Sequence, residues 1–411
     1  MRFAKTKIFT WSLYDFANTI FSMNVVSLNF PLMIKNNYGG ADIDLSLARS
    51  SAMVLVALTI PLAGTIADRF ERRMLPAFGF TLLCCLATIS LGRSDSMFIN
   101  LMLFAVAVYS YQGALVFYNA VLPRVAGPGK IGRVSGYGVA LGYTGTIFGL
   151  IVVGSLVGPR CYSDAFAITA VLFFIFASPF FITVRDESPK PLKGLMTVTG
   201  DSIKGIVGVL RDARARPGIL RFLLGRFFVV EALETIIFFM AIFLKEAVGF
   251  SDEKLTLGNL NEITVFLIVV TSFTAVGSLI WGFAAEKFGP KNSLLGTIVL
   301  WIATLLGIII FSHKGLFFLL GSLAGISLGG VWTTERPLLI NLVRDNSKLA
   351  GYFGLFALSG RMAAVVGPII WGLTVLAFDS LGAVKYRFAV GSVLAMMIAG
   401  FFIMRKVPDA R

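Results

Sequence analysis

The sequence predicts an all-α polytopic membrane protein with twelve transmembrane helices, arranged as two pseudo-symmetric six-helix bundles. Three observations carry that expectation. Of 411 residues, 57% are hydrophobic and only 14% charged, and the mean hydropathy is +0.84, a balance foreign to water-soluble domains. The apolar residues come in runs of about 20 without two-residue alternation, which is the length of a helix crossing a bilayer. A short charged stretch between two of these runs, Gly64 to Arg73, also has a counterpart 218 positions later, Gly282 to Lys291. Lipid offers the backbone no hydrogen bonds, so only helices or a closed barrel can span it, and the missing alternation selects helices.

In chain order, the first span covers Thr10 to Ile34, too long for a signal-peptide core, and is expected to be retained. Trp11, Asp15, Asn18, Ser22 and Asn29 fall along one face of it at helical spacing, and such a polar stripe is expected to avoid lipid. Spans follow at about 47–67, 74–92 and 97–122, where Gln112 and Asn119 share a face with Tyr111 and Tyr118 beside them. Interhelical hydrogen bonding and solute contact both fit that pair. The fifth span carries Gly138, Gly142, Gly145 and Gly149, a nearly side-chain-free face suited to close helix approach. A sixth span at about 165–184 closes a first bundle, 1–184. The segment 185–219, with Pro189, Pro191 and Pro217, reads as a cytoplasmic linker whose middle, Leu195 to Leu210, suits an interfacial amphipathic helix. The second bundle, 220–411, has spans at about 220–246, 260–285, 292–312, 315–343, 350–375 and 384–404.

The net charge of +14 is a matter of topology and not of nucleic-acid binding. Of 36 Lys and Arg, 24 fall on the side that holds both termini and nine on the other, while Arg226, Arg336 and Arg361 lie inside helices. That asymmetry puts both termini in the cytoplasm, and a bacterial inner membrane is the expected home. Cys84, Cys85 and Cys161 offer no disulfide framework, and the single His313 no metal cluster, so no metal or cofactor is expected. There is neither a Gly-x-Ser-x-Gly elbow nor a phosphate-cradling loop, which disfavours an enzyme and an ATP-driven pump.

The two repeated loops carry a resemblance. A small residue, then Ala-(Asp/Glu)-(Arg/Lys)-Phe and basic residues, between the second and third helices of each half, is similar to the signature loop of the major facilitator superfamily. The resemblance implies the major facilitator fold and a conformational latch at Asp68, Arg69, Arg72 and Arg73 in one half and Glu286 and Lys287 in the other. Glu71 stands where the motif usually has the Gly that Gly289 supplies in the second copy. Within the superfamily, Trp11-Ser12-Leu13-Tyr14-Asp15-Phe16-Ala17-Asn18, the Gly132 to Gly145 stretch, Gly351-Tyr352-Phe353-Gly354, Leu358-Ser359-Gly360-Arg361 and Gly367-Pro368 resemble the branch of the autophagy-related vacuolar amino-acid effluxer and its bacterial relatives.

Ionisable side chains within the spans are costly, about 2.5–3.5 kcal/mol each at a helix centre for Asp, Lys and Arg, and so mark candidate sites. They are Asp15, Arg226, Glu231, Glu234, Glu335, Arg336 and Arg361. Glu231 and Glu234 lie near mid-depth, one turn apart, where two carboxylates in a low dielectric favour a shared proton. Arg361 and Gln112 lie at similar depth. Glu231 with Arg361 reads either as a structural ion pair or as a site for a charged or zwitterionic solute, with or without a coupled proton. Asp15, Asn18, Asn119, Glu335 and Arg336 complete the candidate set, and Arg226 is also long enough to snorkel to the interface. The expected function is secondary transport of a small solute by a monomer embedded in lipid, with amino-acid efflux the direction the resemblance implies. Alternatives on the same fold are transport of a siderophore, peptide or drug, and a non-transporting receptor.

Overall fold

The computed structural model describes residues 2–69, 73–126, 131–158, 160–186, 208, 211–253, 260–343 and 349–409. Helix is nearly the only regular structure among them. Helix α1 begins earlier than the hydropathy suggests, running Arg2–Phe21 and continuing without a break through a π-helical stretch, Ser22–Asn29, and a final segment, Phe30–Tyr38. Gly39, with φ of +62°, ends it in the left-handed conformation that a residue without Cβ adopts freely. The first half continues with α2 (Asp42–Arg69), α3 (Met74–Ser90), α4 (Met97–Ala126), α5 (Ile131–Leu156) and α6 (Tyr162–Thr183). Pro217 opens α7 (Pro217–Phe243), where the missing amide hydrogen is no loss, and a second π stretch, Leu244–Val248, follows it. Then come α8 (Glu262–Phe288), α9 (Pro290–Ile310), α10 (Lys314–Val343), α11 (Leu349–Ala377) and α12 (Lys385–Arg405), the last led in by a 3-10 turn, Asp379–Val384. Among the described residues, ten helices are long and apolar enough to cross a membrane, and the 17-residue α3 is a shorter apolar helix. Most of the expected linker helix, 195–207 with 209 and 210, lies outside the described residues.

Two compact units emerge. The first holds Met1–Gly40, Ser51–Ile203 and Glu253–Thr264, and the second Ala41–Ser50, Lys204–Asp252 and Val265–Arg411. The opening turns of α2 thus belong with the second unit, and the lead-in to α8 with the first. Within the first unit α1 packs on α5 and α6, and α3 on α4 and α6; within the second α7 packs on α11 and α12, and α9 on α10 and α12. The same pairing pattern therefore recurs six helices later, the structural counterpart of the duplicated loop.

Burial is inverted relative to a water-soluble protein. Phe283, Leu75, Ile182 and Phe98 are among many large apolar side chains that are exposed, whereas Arg226, Glu231 and Glu335 are buried. An apolar exterior of this extent belongs in lipid. The π stretch also breaks the polar stripe expected along α1: the Asn29 amide donates to the Asn24 carbonyl, five residues back, a spacing of π rather than α geometry.

Candidate functional site

Three of the expected intramembrane charges, Arg226, Glu231 and Glu234, lie along α7, a helix of 27 residues. First of the three is Arg226. Its Nε donates to Glu335 Oε2 of α10 at 2.9 Å and its Nη2 to Oε1 at 3.3 Å. Its Nη1 donates to the Phe356 carbonyl at 2.9 Å and to Ser359 Oγ at 3.0 Å, while the guanidinium carbon lies 3.6 Å from the centre of the Phe356 ring. Two charges leave water favourably only when each finds partners of this quality. Gly360 of α11 makes the arrangement possible, since a Cβ there would lie 2.8 Å from Nη1. Arg226 does not snorkel to the interface, because Glu335 meets it inside the protein.

Glu231 sits at the middle of α7, only 1% exposed. Its Oε1 and the hydroxyl of Thr235, one turn on, find no hydrogen-bond partner among the described residues. Both face Gly367 of α11, where a Cβ would overlap Thr235 and crowd Glu231 Cγ. A carboxyl group left unpaired in such a place is expensive, and structures keep such groups at sites of function. Arg361, the expected partner, is half-buried and forms no ion pair with Glu231 among the described residues.

Glu234 turns to another neighbour. Its Oε2 accepts from Arg49 Nη2 at 2.6 Å, its backbone carbonyl accepts from Nη1 at 3.2 Å, and the guanidinium lies 4.4 Å from the Phe238 ring centre. Arg49, on α2, is invisible to a hydropathy reading because it stands at the polar end of its span, among charges attributed to a loop. Its spacing from Ser46 and Asp42 is the available signal.

In the first unit Asp15 lies over Gly138 and Gly142. Asn18 is 1% exposed, and neither atom of its amide finds a partner among the described residues. Gln112 is half-buried on α4 and Asn119 exposed. Gly145 meets the Phe16 backbone and Thr19, and Gly149 meets Ile20 and Asn24, so the α5 glycines face α1. Of the expected latch, Arg72 and the side chains of Asp68 and Arg69 lie outside the described residues. The amides of Arg73 and Met74 donate to the Asp186 carboxylate at 3.1 Å, which caps α3, and Arg73 Nη1 donates to the Ala120 carbonyl at 3.0 Å. Glu286 and Lys287 are exposed at the end of α8, and Arg336 is exposed next to Glu335.

The family model described as vacuole effluxer Atg22 like matches residues 126–411. The chain belongs to the Atg22-like family. The MFS-type transporter YxiO of Bacillus subtilis is 26% identical to this Atg22-like chain, over 97% of it and 94% of YxiO. Autophagy-related protein 22 of Kluyveromyces lactis is 24% identical over 82% of the chain and 74% of that protein. Two solved structures share the fold. One is a mutant form of the nucleoside transporter NupG, with a TM-score of 0.78 and 13% identity over 98% of this chain and 99% of NupG. The other is an inward-facing, unoccupied bacterial homologue of the lysosomal transporter Spinster, with a TM-score of 0.73 and 15% identity over 98% and 96%. The Atg22-like protein is a membrane transporter of the major facilitator type.

Proposed function

We propose that this protein is a secondary transporter that moves a small charged or zwitterionic solute by alternating access, exporting an amino acid or a close analogue. The observation that carries the reading is Glu231, a carboxyl group near the middle of α7 whose Oε1, like the hydroxyl of neighbouring Thr235, has no partner among the described residues. Such groups gain a partner only when something binds, whether the ammonium of a solute or a proton carried with it. Arg361 supplies a positive charge on α11, six residues before the Gly367 that faces Glu231, so that an extended zwitterion would meet both signs. The effluxer description of the family supports the direction. The excess of Lys and Arg on the side of both termini supports a cytoplasmic placement of those ends. The bacterial relative supports a bacterial cytoplasmic membrane.

The test is flux of radiolabelled amino acids in proteoliposomes, with and without a pH gradient. Glu231→Gln should abolish gradient-driven flux while the protein remains folded. Unchanged flux and unchanged gradient dependence in that variant would remove Glu231 from the mechanism.

A further inference from the structure

We infer that α7 and α12 together form a binding site for an anionic phospholipid, with Arg221, Arg405 and Lys406 holding the headgroup phosphate and Leu224 and Phe402 lying along the acyl chains. The inference goes beyond transport and stands whatever solute the protein carries.

The first turns of α7 and the last turns of α12 touch backbone to backbone, because each carries a glycine there. A Cβ on Gly400 would lie 3.2 Å from the Gly225 carbonyl oxygen, and one on Gly225 would lie 3.3 Å from the Met404 amide nitrogen. Beside this crossing Arg221 Nη1 donates to the Lys406 carbonyl at 3.4 Å, which ties the two helix ends together. The chain beyond α12 is held in place. Val407 is 1% exposed, and a Cβ on Gly218 would lie 2.6 Å from Pro408 Cγ. Arg221, Arg405 and Lys406 are therefore exposed cations on a fixed backbone.

Two features specify the ligand. Leu224 lies one turn along α7 from Arg221 and is 48% exposed, and Phe402 lies one turn before Arg405 on α12 and is 56% exposed. Each helix thus presents an apolar side chain and, one turn nearer its end, a cation on the same face, which is the profile of a phospholipid from acyl chain to phosphate. The second feature is charge without a counterpart. Among the described residues no carboxylate pairs with Arg221, Arg405 or Lys406. Arg211 and Arg214 are exposed just before α7 and add to the positive field, while Asp212 between them is turned inward, accepting from the Tyr352 hydroxyl at 2.5 Å. Asp409 is the single acid after α12. Cations at the end of α12 suit its dipole, but Arg221 stands near the start of α7, the positive end. Its one acceptor among the described residues is the Lys406 carbonyl, so most of the guanidinium fork is left for phosphate oxygens.

The test is lipid retention by the full chain in a neutral detergent, read by native mass spectrometry during titration with phosphatidylglycerol or phosphatidylcholine. Phosphatidylglycerol should be retained at concentrations about tenfold or more below those at which phosphatidylcholine binds, and it should raise the melting temperature. Arg221→Gln, Arg405→Gln and Lys406→Gln together should remove that preference. Lys5→Gln, Lys7→Gln and Lys291→Gln, which take the same charge from the same side of the protein, should keep it. Leu224→Ala with Phe402→Ala should weaken retention by about threefold or more with the cations intact. Equal retention of the two lipids, or loss of the preference in both triple variants, overturns the site and leaves only the general attraction of a basic surface. Displacement of the lipid by millimolar inorganic phosphate overturns it too, since the cations then serve a soluble anion. Should the first triple variant fail to fold, Arg221→Gln alone decides, and an unchanged preference there overturns the site.

Discussion

Helices α1 and α7 hold matching places in their units, each against the fifth and sixth helices of its half, yet different chemistry seats them. Gly138 packs on Trp11 and Gly145 on Phe16 and Thr19; seven residues also separate Gly360, against Arg226, from Gly367, against Glu231 and Thr235. Around α1 the fit is aromatic. Trp11 stacks on Tyr118 at 4.6 Å, Tyr14 stacks on the same Tyr118 at 4.8 Å, and the Tyr14 hydroxyl meets Thr81 at 2.6 Å. Around α7 the same positions carry a buried ion pair and an unpaired carboxyl. Stacked rings are held by one another. Charges in a low dielectric depend on their partners, and a change of partner changes the structure. The duplicated scaffold thus seats one of these helices by aromatic contacts and the other by charged ones, although Asn18 on α1 is also buried with its amide unpartnered among the described residues.

The widest test of this contrast is stability in detergent, followed by thermal or denaturant unfolding. Glu335→Ala should cost about 3–5 kcal/mol, because it leaves Arg226 buried and unpaired. The double substitution Arg226→Met with Glu335→Leu should recover most of that loss while impairing flux; full flux in the double variant would reduce the ion pair to architecture. Trp11→Ala should cost about 3–5 kcal/mol through lost packing, with no such rescue by a charge. Next in size, Gly145→Ala and Gly367→Ala should each lose about 1–3 kcal/mol by overpacking. Only Gly367→Ala should also alter the Glu231→Gln phenotype in a double-mutant comparison of flux. Smallest is Arg361→Gln, whose stability should stay within about 0.5 kcal/mol, as for a residue away from any tight network. Its apparent affinity for solute should fall; equal loss of affinity for cationic and zwitterionic solutes would deny it a role in holding a carboxylate.

Much of this is legible in the chain. Composition and run length reveal the helices, and the repeated loop reveals the duplication, because lipid penalises polar residues so heavily that their positions announce themselves. For the same reason Arg226, Glu231, Glu234 and Glu335 stand out. Their pairing does not. Depth along a helix follows from counting residues, but which neighbour a side chain meets depends on how helices are arranged around one another, and a single sequence carries no such information. Hence depth alone sets Arg361 opposite Glu231, while Arg49, at the rim of its span, passes for a loop charge although it holds Glu234. The polar stripe of α1 fails beyond Ser22 for a local reason, since a rule of 3.6 residues per turn does not apply in a π stretch.

That stretch has a counterpart at Leu244–Val248, toward the far end of α7. In both helices the winding loosens after the residues that form the core contacts described above. Hydrogen bonds to the fifth residue back are poorer than those to the fourth, so each rod has a region where tightening by one residue is an available alternative. Such a change would turn everything beyond it about the rod's axis while leaving Trp11 and Arg226 in place. The outer ends of α1 and α7 could then swivel independently of their anchored roots.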